Sequence, residues 1–354
     1  MRYIGIIILL VLCLTLLLLT GCIVNTVIPE TTSGNLENQG NTGGSVIENT
    51  EKPVIIDTEE PGTENPQKWS GLGMGLYWDD ASYVDTLLAN GFEYLRIDIP
   101  SYQMTNWMTY SKETIPGIIA KGAKVLWGVS SKGYTITSTN WSTFRQAILD
   151  AATWAQANGV YEFQLANEEE SAVDGTTITA ATLRANLRAV ATDVQAIFTG
   201  NIIYSFASGN ANAWIAEGLG DIDQIGVNTC IGGEGSYPAD YWKTYITDLV
   251  NAFGADGVTI TEFSPSWSSL DDYSTDEAVQ AAAVTEMLDW IKATGIKTAR
   301  YYVLYGDTYG IVKSDGTYRL LWNQALLNTG VKFATVPTKT TTASLPDTIA
   351  LVPK

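Results

Sequence analysis

The sequence predicts an α/β fold in which eight parallel strands close into a barrel, and three observations carry that prediction. Short apolar, β-branched runs alternate with longer segments of helical spacing, as in consecutive βα units on a parallel sheet. Eight such runs can be counted, and glycines follow several of the helical segments as stops. The opening run, 71–76, contains Gly71, Gly73 and Gly75 but opens no helix, so it lacks the phosphate-binding fingerprint of an open, doubly wound sheet. Together these favour a (β/α)8 TIM barrel preceded by a signal peptide and a flexible linker.

Taken in order, the expected strands are 71–76, 94–99, 124–129, 161–166, 202–207, 222–228, 258–263 and 298–305. The helical segments between them include 80–90, 141–158, 183–198, 241–253 and 275–294. Gly91, Gly159, Gly200, Gly254 and Gly295 stand just past these segments, where a residue free to adopt the left-handed conformation ends a helix. No side-chain signature recurs from unit to unit, which argues against a repeat array.

The ends read differently. Arg2 precedes an apolar run from Ile4 to Leu19, shorter than the roughly 20 residues a spanning helix needs. The run closes in Leu19-Thr20-Gly21-Cys22, which resembles the lipobox of prokaryotic lipoproteins. That resemblance implies cleavage before Cys22 and lipidation of its thiol; an uncleaved anchor and a plain signal peptide are the alternatives. All three place the remainder outside the cytoplasm, and the lipobox reading puts it on the membrane, facing the extracellular or periplasmic side. Residues 22–68 are rich in Thr, Asn, Gly, Glu and Pro without an apolar period, the composition of a disordered tether. The expected organisation is therefore a signal peptide at 1–21, a tether at 22–68, the barrel at 69–334 and a polar tail at 335–354.

Composition excludes several classes of function. A net charge of −18 argues against a nucleic-acid partner. Between Ile23 and Lys68 eight carboxylates face two lysines, so part of that charge belongs to the tether. There is no histidine, which removes His-based triads and the commonest zinc and iron ligand sets. With Cys13 in the signal and Cys22 at the anchor, Cys230 stands alone in the barrel, where no histidine can activate it. No metal or cofactor is implied, and the barrel is expected to be a monomer held by its core.

In a barrel of this type the chemistry gathers at the C-terminal strand ends. The fourth expected strand ends in Asn167-Glu168-Glu169-Glu170 and the seventh in Glu262-Phe263. Strands four and seven lie three apart around the ring, so their ends can face each other across the mouth. Two carboxyls roughly 5–5.5 Å apart are what a retaining glycosidase needs, one to protonate the departing oxygen and one to attack the sugar carbon. The bland alternative is a solvated acidic run at 168–170 and a structural rim glutamate at 262. A minor variant makes Glu169 or Glu170 the acid.

The Asn-Glu after strand four, with a lone Glu after strand seven, resembles clan A of the glycoside hydrolases, which includes the family 5 cellulases and mannanases. The match runs from about Trp69 to Lys332. By that resemblance Glu168 is the acid/base, Glu262 the nucleophile, and Asn167 the residue that holds the substrate's 2-hydroxyl. Arg96, in Leu95-Arg96-Ile97-Asp98, matches the arginine that supports the nucleophile, and Asn228 echoes the clan at the end of strand six. So does the stretch 310–316, followed by Trp322. The chain departs from the clan where members carry a histidine after strand three, a tyrosine or histidine after strand six, and a tryptophan at the end of strand eight. Here those places read Val129-Ser130, Thr229-Cys230 and the run from Tyr301 to Tyr305.

Charge gives the two glutamates opposite expected roles. Arg96 should hold Glu262 ionised, and the charge of Glu262 should keep Glu168 protonated. Eleven tryptophans suit a protein that stacks sugar rings on indoles. Trp78, Trp127 and Trp267, with Tyr305, are the expected substrate platforms; Trp154, Trp214, Trp242 and Trp290 fall on helical segments and read as packing residues. The sequence thus points to a retaining hydrolase of a β-linked polysaccharide, with an endo-β-1,4-glycanase as the first expectation. The rivals are a non-catalytic polysaccharide-binding surface lipoprotein on the same barrel and a transglycosylase that remodels glycan.

Overall fold

The computed structural model describes residues 71–231, 241–265, 277–305, 310–313, 316, 317 and 319. The expected signal peptide, Cys22, the expected tether, Trp267, Trp322 and the expected tail lie outside the described residues. Eight strands form: β1 (Leu72–Leu76), β2 (Tyr94–Ile97), β3 (Lys124–Gly128), β4 (Glu162–Asn167), β5 (Asn201–Ala207), β6 (Gln224–Ile231), β7 (Val258–Pro265) and β8 (Ala299–Tyr301). Each pairs in parallel with the next, and β1 pairs with β8 to close the barrel. Around it run α1 (Val84–Ala89), α2 (Thr105–Ala120), α3 (Trp141–Ala157), α4 (Ala180–Gln195), α5 (Ala211–Glu217), α6 (Tyr241–Phe253) and α7 (Glu277–Ala293).

The departures from expectation have local causes. Helix α2 lies outside the expected segments and contains Pro116 and Gly117, yet Ser111, Ile115 and Ile118 are buried at helical spacing and carry it. The segment 80–90 divides into a 3-10 turn, Trp78–Tyr83, and the short α1. β8 stops at Tyr301, well before the expected end. Gly91, Gly159, Gly254 and Gly295 take positive φ, as helix stops do. Gly200 is different: α4 ends at Gln195, and a Cβ at Gly200 would lie 2.5 Å from the Tyr161 carbonyl. That glycine serves a close backbone approach rather than a helix end.

Packing separates two layers. Between sheet and helices lies a continuous apolar cluster, in which Trp127 of β3 packs edge-on against Trp154 of α3 at 4.9 Å. Trp214 stacks obliquely on Tyr204, and Trp242 meets Trp290, so the helical tryptophans are packing residues. The inside of the barrel holds a polar cluster instead, beside Ile203. Arg96, Glu162, Gln164, Ser205, Thr259, Thr261 and Arg300 are all buried there. Gly226 makes room for them, since a Cβ would lie 2.6 Å from Ser205 Oγ and 2.8 Å from Thr261 Cγ2.

Two irregularities aim the strand ends. In β4 the pairing with β5 passes from Gln164 to Ala166, skipping Leu165. In β7 the pairing with β6 passes from Ile260 to Glu262, skipping Thr261. A strand turns alternate side chains to opposite faces, so one extra residue reverses the parity of everything after it. Thus Glu162 and Gln164 face inward and, beyond the bulge, so does Asn167; Thr259 faces inward and, beyond its bulge, so does Glu262.

Candidate active site

At the C-terminal mouth the ends of β2, β3, β4, β7 and β8 enclose an open cleft of about 330 Å³. Arg96, Asn167, Glu168 and Glu262 line it, together with Asp98 and Tyr302. Arg96 is 3 % exposed and spreads its guanidinium over three partners. Nη1 pairs with Glu262 Oε1 at 2.7 Å, Nη2 donates to Asn167 Oδ1 at 2.9 Å and Nε donates to Gln164 Oε1 at 2.8 Å. Gln164 Nε2 returns a bond to the same Asn167 oxygen at 2.8 Å. Asn228 Nδ2 reaches that oxygen at 3.1 Å and Glu168 Oε1 at 2.6 Å. Thr261 Oγ1 donates to Asn228 Oδ1 at 2.7 Å and fixes which way that amide faces. The five residues picked out by sequence, Arg96, Asn167, Glu168, Asn228 and Glu262, therefore form one bonded relay with a glutamate at each end. Three donors converge on Asn167 Oδ1, which leaves its amide nitrogen as the group it can offer to a ligand.

The other two members of the acidic run turn inward. Glu169 is 1 % exposed; its carboxylate accepts from Ser131 N at 2.8 Å, from Ser131 Oγ and from Asn167 N at 3.3 Å. Glu170 accepts from Tyr204 Oη and from Trp214 Nε1 at 2.7 Å. Glu168 sits between strand and turn at φ 60°, the only non-glycine residue with positive φ among the described residues. Of the three carboxylates, Glu168 alone bonds to a side chain of the Arg96 relay; Glu169 meets it only at the Asn167 backbone N–H.

Electrostatics correct one expectation. Burial pushes the Glu262 carboxyl up to about 7, and the nearby charges of Glu168 and Asp98 add to the rise. Arg96 and Lys132 oppose it without prevailing. Arg96 thus moderates Glu262 rather than setting it below the ordinary carboxylate range: removing the anion from water costs more than one guanidinium returns. Glu169 is likewise pushed up to about 7 by burial, against its Ser131 and Asn167 bonds. Burial also raises Glu170 and holds the Tyr204 hydroxyl well above its ordinary range.

No protein-family model matches the chain, and no curated protein matches it by sequence. Solved structures do match it by shape. A glycoside hydrolase family 5 enzyme of Prevotella bryantii B14 aligns over 75 % of this chain and 97 % of its own, with a TM-score of 0.54 and 14 % identity. A family 113 β-1,4-mannanase aligns over 73 % and 98 %, with a TM-score of 0.53 and 12 % identity. Xylanase 10B of Thermotoga petrophila RKU-1, solved with xylobiose, aligns over 73 % and 93 %, with a TM-score of 0.51 and 12 % identity. The fold is the (β/α)8 barrel that these glycoside hydrolases share.

Within this barrel the expected aromatic platforms fare unevenly. Trp127 is fully buried against Trp154 and does not reach the cleft, because its parity on β3 points it outward to the helices. Tyr305 packs half-buried against the apolar cluster, bridged to Val312. Trp78 opens the 3-10 turn after β1, and its side chain, like that of Cys230 in β6, lies outside the description; Trp267 lies outside it altogether. Among the described residues, the aromatic residue lining the cleft is Tyr302, whose hydroxyl lies 3.3 Å from that of Tyr77. Burial and the charge of Glu262 push the Tyr302 hydroxyl up, so it stays a neutral phenol.

Sequence reasoning also passed over Gln164, Asp98, Ser131 and Lys132. Gln164 left a signal: Glu162 and Gln164 alternate with Phe163 and Leu165, which announces a polar barrel interior. Asp98 pairs with Lys132 at 3.7 Å on the cleft wall, and Lys132 lies 5.9 Å above the Trp107 ring. Nothing in the local pattern around Ser131 and Lys132 announces that the loop after β3 would fold back to meet them.

Proposed function

We propose that this chain is a retaining glycoside hydrolase of a β-linked polysaccharide, with an endo-β-1,4-glycan as its substrate class. The observation that carries the reading is the relay Glu262–Arg96–Asn167–Asn228–Glu168, which sets two carboxyls in one cleft and gives each a different neighbour. Glu262 attacks the anomeric carbon while Glu168 delivers its proton to the departing oxygen; a glycosyl ester on Glu262 results. Water then gives a proton to Glu168 and attacks the same carbon, releasing sugar and restoring both side chains. Arg96 engages Oε1 of Glu262, so attack is assigned to the other oxygen. Asn228 holds one oxygen of Glu168 and leaves the other to carry the proton. The Asn167 amide nitrogen, with its oxygen fully engaged, is placed to bind a sugar hydroxyl. The matched mannanase and xylanase share this barrel and differ in their named substrates, so the fold supports a glycan without choosing among glucan, mannan and xylan.

The test is reducing-sugar release by the full chain across glucan, mannan and xylan, with Glu168→Ala and Glu262→Ala alongside. Release from one glycan class that both variants lose supports the reading and names the substrate. Binding without release by the wild-type chain favours a non-catalytic polysaccharide-binding lipoprotein, and longer oligosaccharide products favour a transglycosylase. We further propose that Cys22 carries the lipid that holds the barrel at the outer face of a membrane, a reading supported by the lipobox alone. Incorporation of labelled palmitate that persists in Cys22→Ala would sink it.

A further inference from the structure

We propose that Glu169, through Ser131, is a positioning residue that holds the acid/base Glu168 in its working orientation, and that Glu170 anchors the same turn from the other side. This rests on the assignment of Glu168 made above. A residue other than glycine is uncommon in the left-handed region and persists there only when its surroundings over-determine it. Around Glu168 they do. Its own N–H donates to Ser205 O at 2.8 Å, and the N–H of Glu169 donates to Tyr204 Oη at 3.2 Å. The Glu169 carboxylate gathers Ser131 N, Ser131 Oγ and Asn167 N, which joins the end of β3 to the residues on both sides of Glu168. The Glu170 carboxylate gathers Tyr204 Oη from β5 and Trp214 Nε1 from α5. The turn is thus fixed from three elements, and apart from the bond of the Glu168 N–H to Ser205 O each of these contacts acts through one of the two buried glutamates.

Space-filling alone does not account for this choice of residue. Leucine or methionine would fill the same volume without the desolvation that raises both carboxyls. What a carboxylate adds is several directed acceptors at once, and directed bonds set an orientation as apolar packing does not. The acidic run Glu168-Glu169-Glu170 therefore divides into one residue that meets the substrate and two that aim it.

A leaving-group comparison separates aiming from general stability. Phenyl glycosides need a proton on the departing oxygen, whereas 2,4-dinitrophenyl glycosides leave without one. The full chain and its Glu169→Ala, Ser131→Ala, Glu169→Gln and Glu168→Ala variants are assayed on both β-glycosides of cellobiose, mannobiose and xylobiose. Read as kcat/KM, which reports glycosylation and not the later attack of water in which Glu168 also acts, Glu169→Ala is expected to lower the phenyl rate by roughly 10–100-fold, the scale of an ångström-sized misplacement, and the dinitrophenyl rate by less than about threefold. Ser131→Ala should follow the same pattern more weakly, and it tests the proposal if Glu169→Ala does not fold. Glu169→Gln keeps the acceptor for Ser131 N and Asn167 N, offers its own N–H to Ser131 Oγ in place of the second acceptor, and should restore most of the phenyl rate. Equal losses on both leaving groups, with Glu168→Ala still discriminating between them, would overturn the positioning role and leave the hydrolase reading intact. A Glu168→Ala chain that does not discriminate, or a wild-type chain that turns over neither glycoside, would overturn the assignment of Glu168 and this inference with it.

Discussion

Arg96 and Arg300 each pair with a glutamate inside the same barrel, and the surroundings of the two pairs differ more than the pairs do. Arg300 of β8 meets Glu162, the first residue of β4, and both side chains are nearly inaccessible, at 0 % and 3 %. Its remaining contacts are internal: Nη1 donates to Thr259 Oγ1 at 3.2 Å, and the guanidinium lies over the Tyr94 ring. Arg96 is as deeply placed, but its partner Glu262 is 19 % exposed and opens on the cleft. One pair is enclosed and can only hold strands together; the other presents a carboxylate whose protonation a ligand can sense. Pair type does not decide between structure and chemistry here. Depth along the barrel axis does.

Matched substitutions test that contrast. Glu262→Gln should lower kcat by about 10⁴-fold or more, the scale seen when a covalent-catalysis residue is lost, with the protein still folded. Glu162→Gln, the same change in the other pair, should leave kcat per folded molecule near wild type. Instead it strips the buried Arg300 of its counter-charge and should cost about 3–5 kcal/mol in urea unfolding. If the two variants behave alike in both assays, the division between mouth and lower barrel is wrong.

The contrast also explains what could be read from sequence. All eight strands were legible because their β-branched runs alternate with helices of ordinary length, and β3 and β4 were placed to within a residue at each end. The strand-end residues Arg96, Asn167, Glu168, Asn228 and Glu262 were legible because polar residues that close apolar strands have few structural reasons to be there. Trp127 misled because parity along a strand is invisible unless the register is known; on β4 and β7 the bulges at Leu165 and Thr261 hide it further. The rise of Glu262 to about 7 was hidden for a related reason. Sequence shows which charges sit at strand ends, whereas burial depends on how completely the loops close over them.

That rise sets a pH dependence. The folded value of Glu262, about 7, lies above the roughly 4.3 of an unfolded glutamate. The folded chain thus binds the proton more tightly, so this contribution to stability is full below the unfolded value and is lost as pH rises through about 7. Wild type should lose on the order of 1–3 kcal/mol between about pH 5 and pH 8 through this group, and Glu262→Gln should lose correspondingly less. Catalysis runs the other way: attack needs the anion, so the acidic limb of kcat/KM should fall near 7 rather than near 4. A limb in the ordinary carboxylate range would mean that Arg96 dominates over burial after all.

The finest form of the comparison lies within one strand. Thr259 and Thr261 are two residues apart on β7, and each serves one arginine–glutamate pair. Thr259 Oγ1 bonds Thr298 Oγ1 at 2.6 Å and accepts from Arg300, below the bulge. Thr261 Oγ1 donates to Asn228 Oδ1, at the bulge, and so orients the amide that holds Glu168. Replacing either threonine with valine keeps the shape and removes one hydroxyl, at a cost of about 1 kcal/mol in stability. Thr259→Val should show that loss and no change in kcat. Thr261→Val should add a fall in kcat of a few-fold, because the Asn228 amide can then rotate and release Glu168. Equal kcat values in the two variants would show that Asn228 is held by its neighbours without Thr261 and that the relay ends one bond earlier.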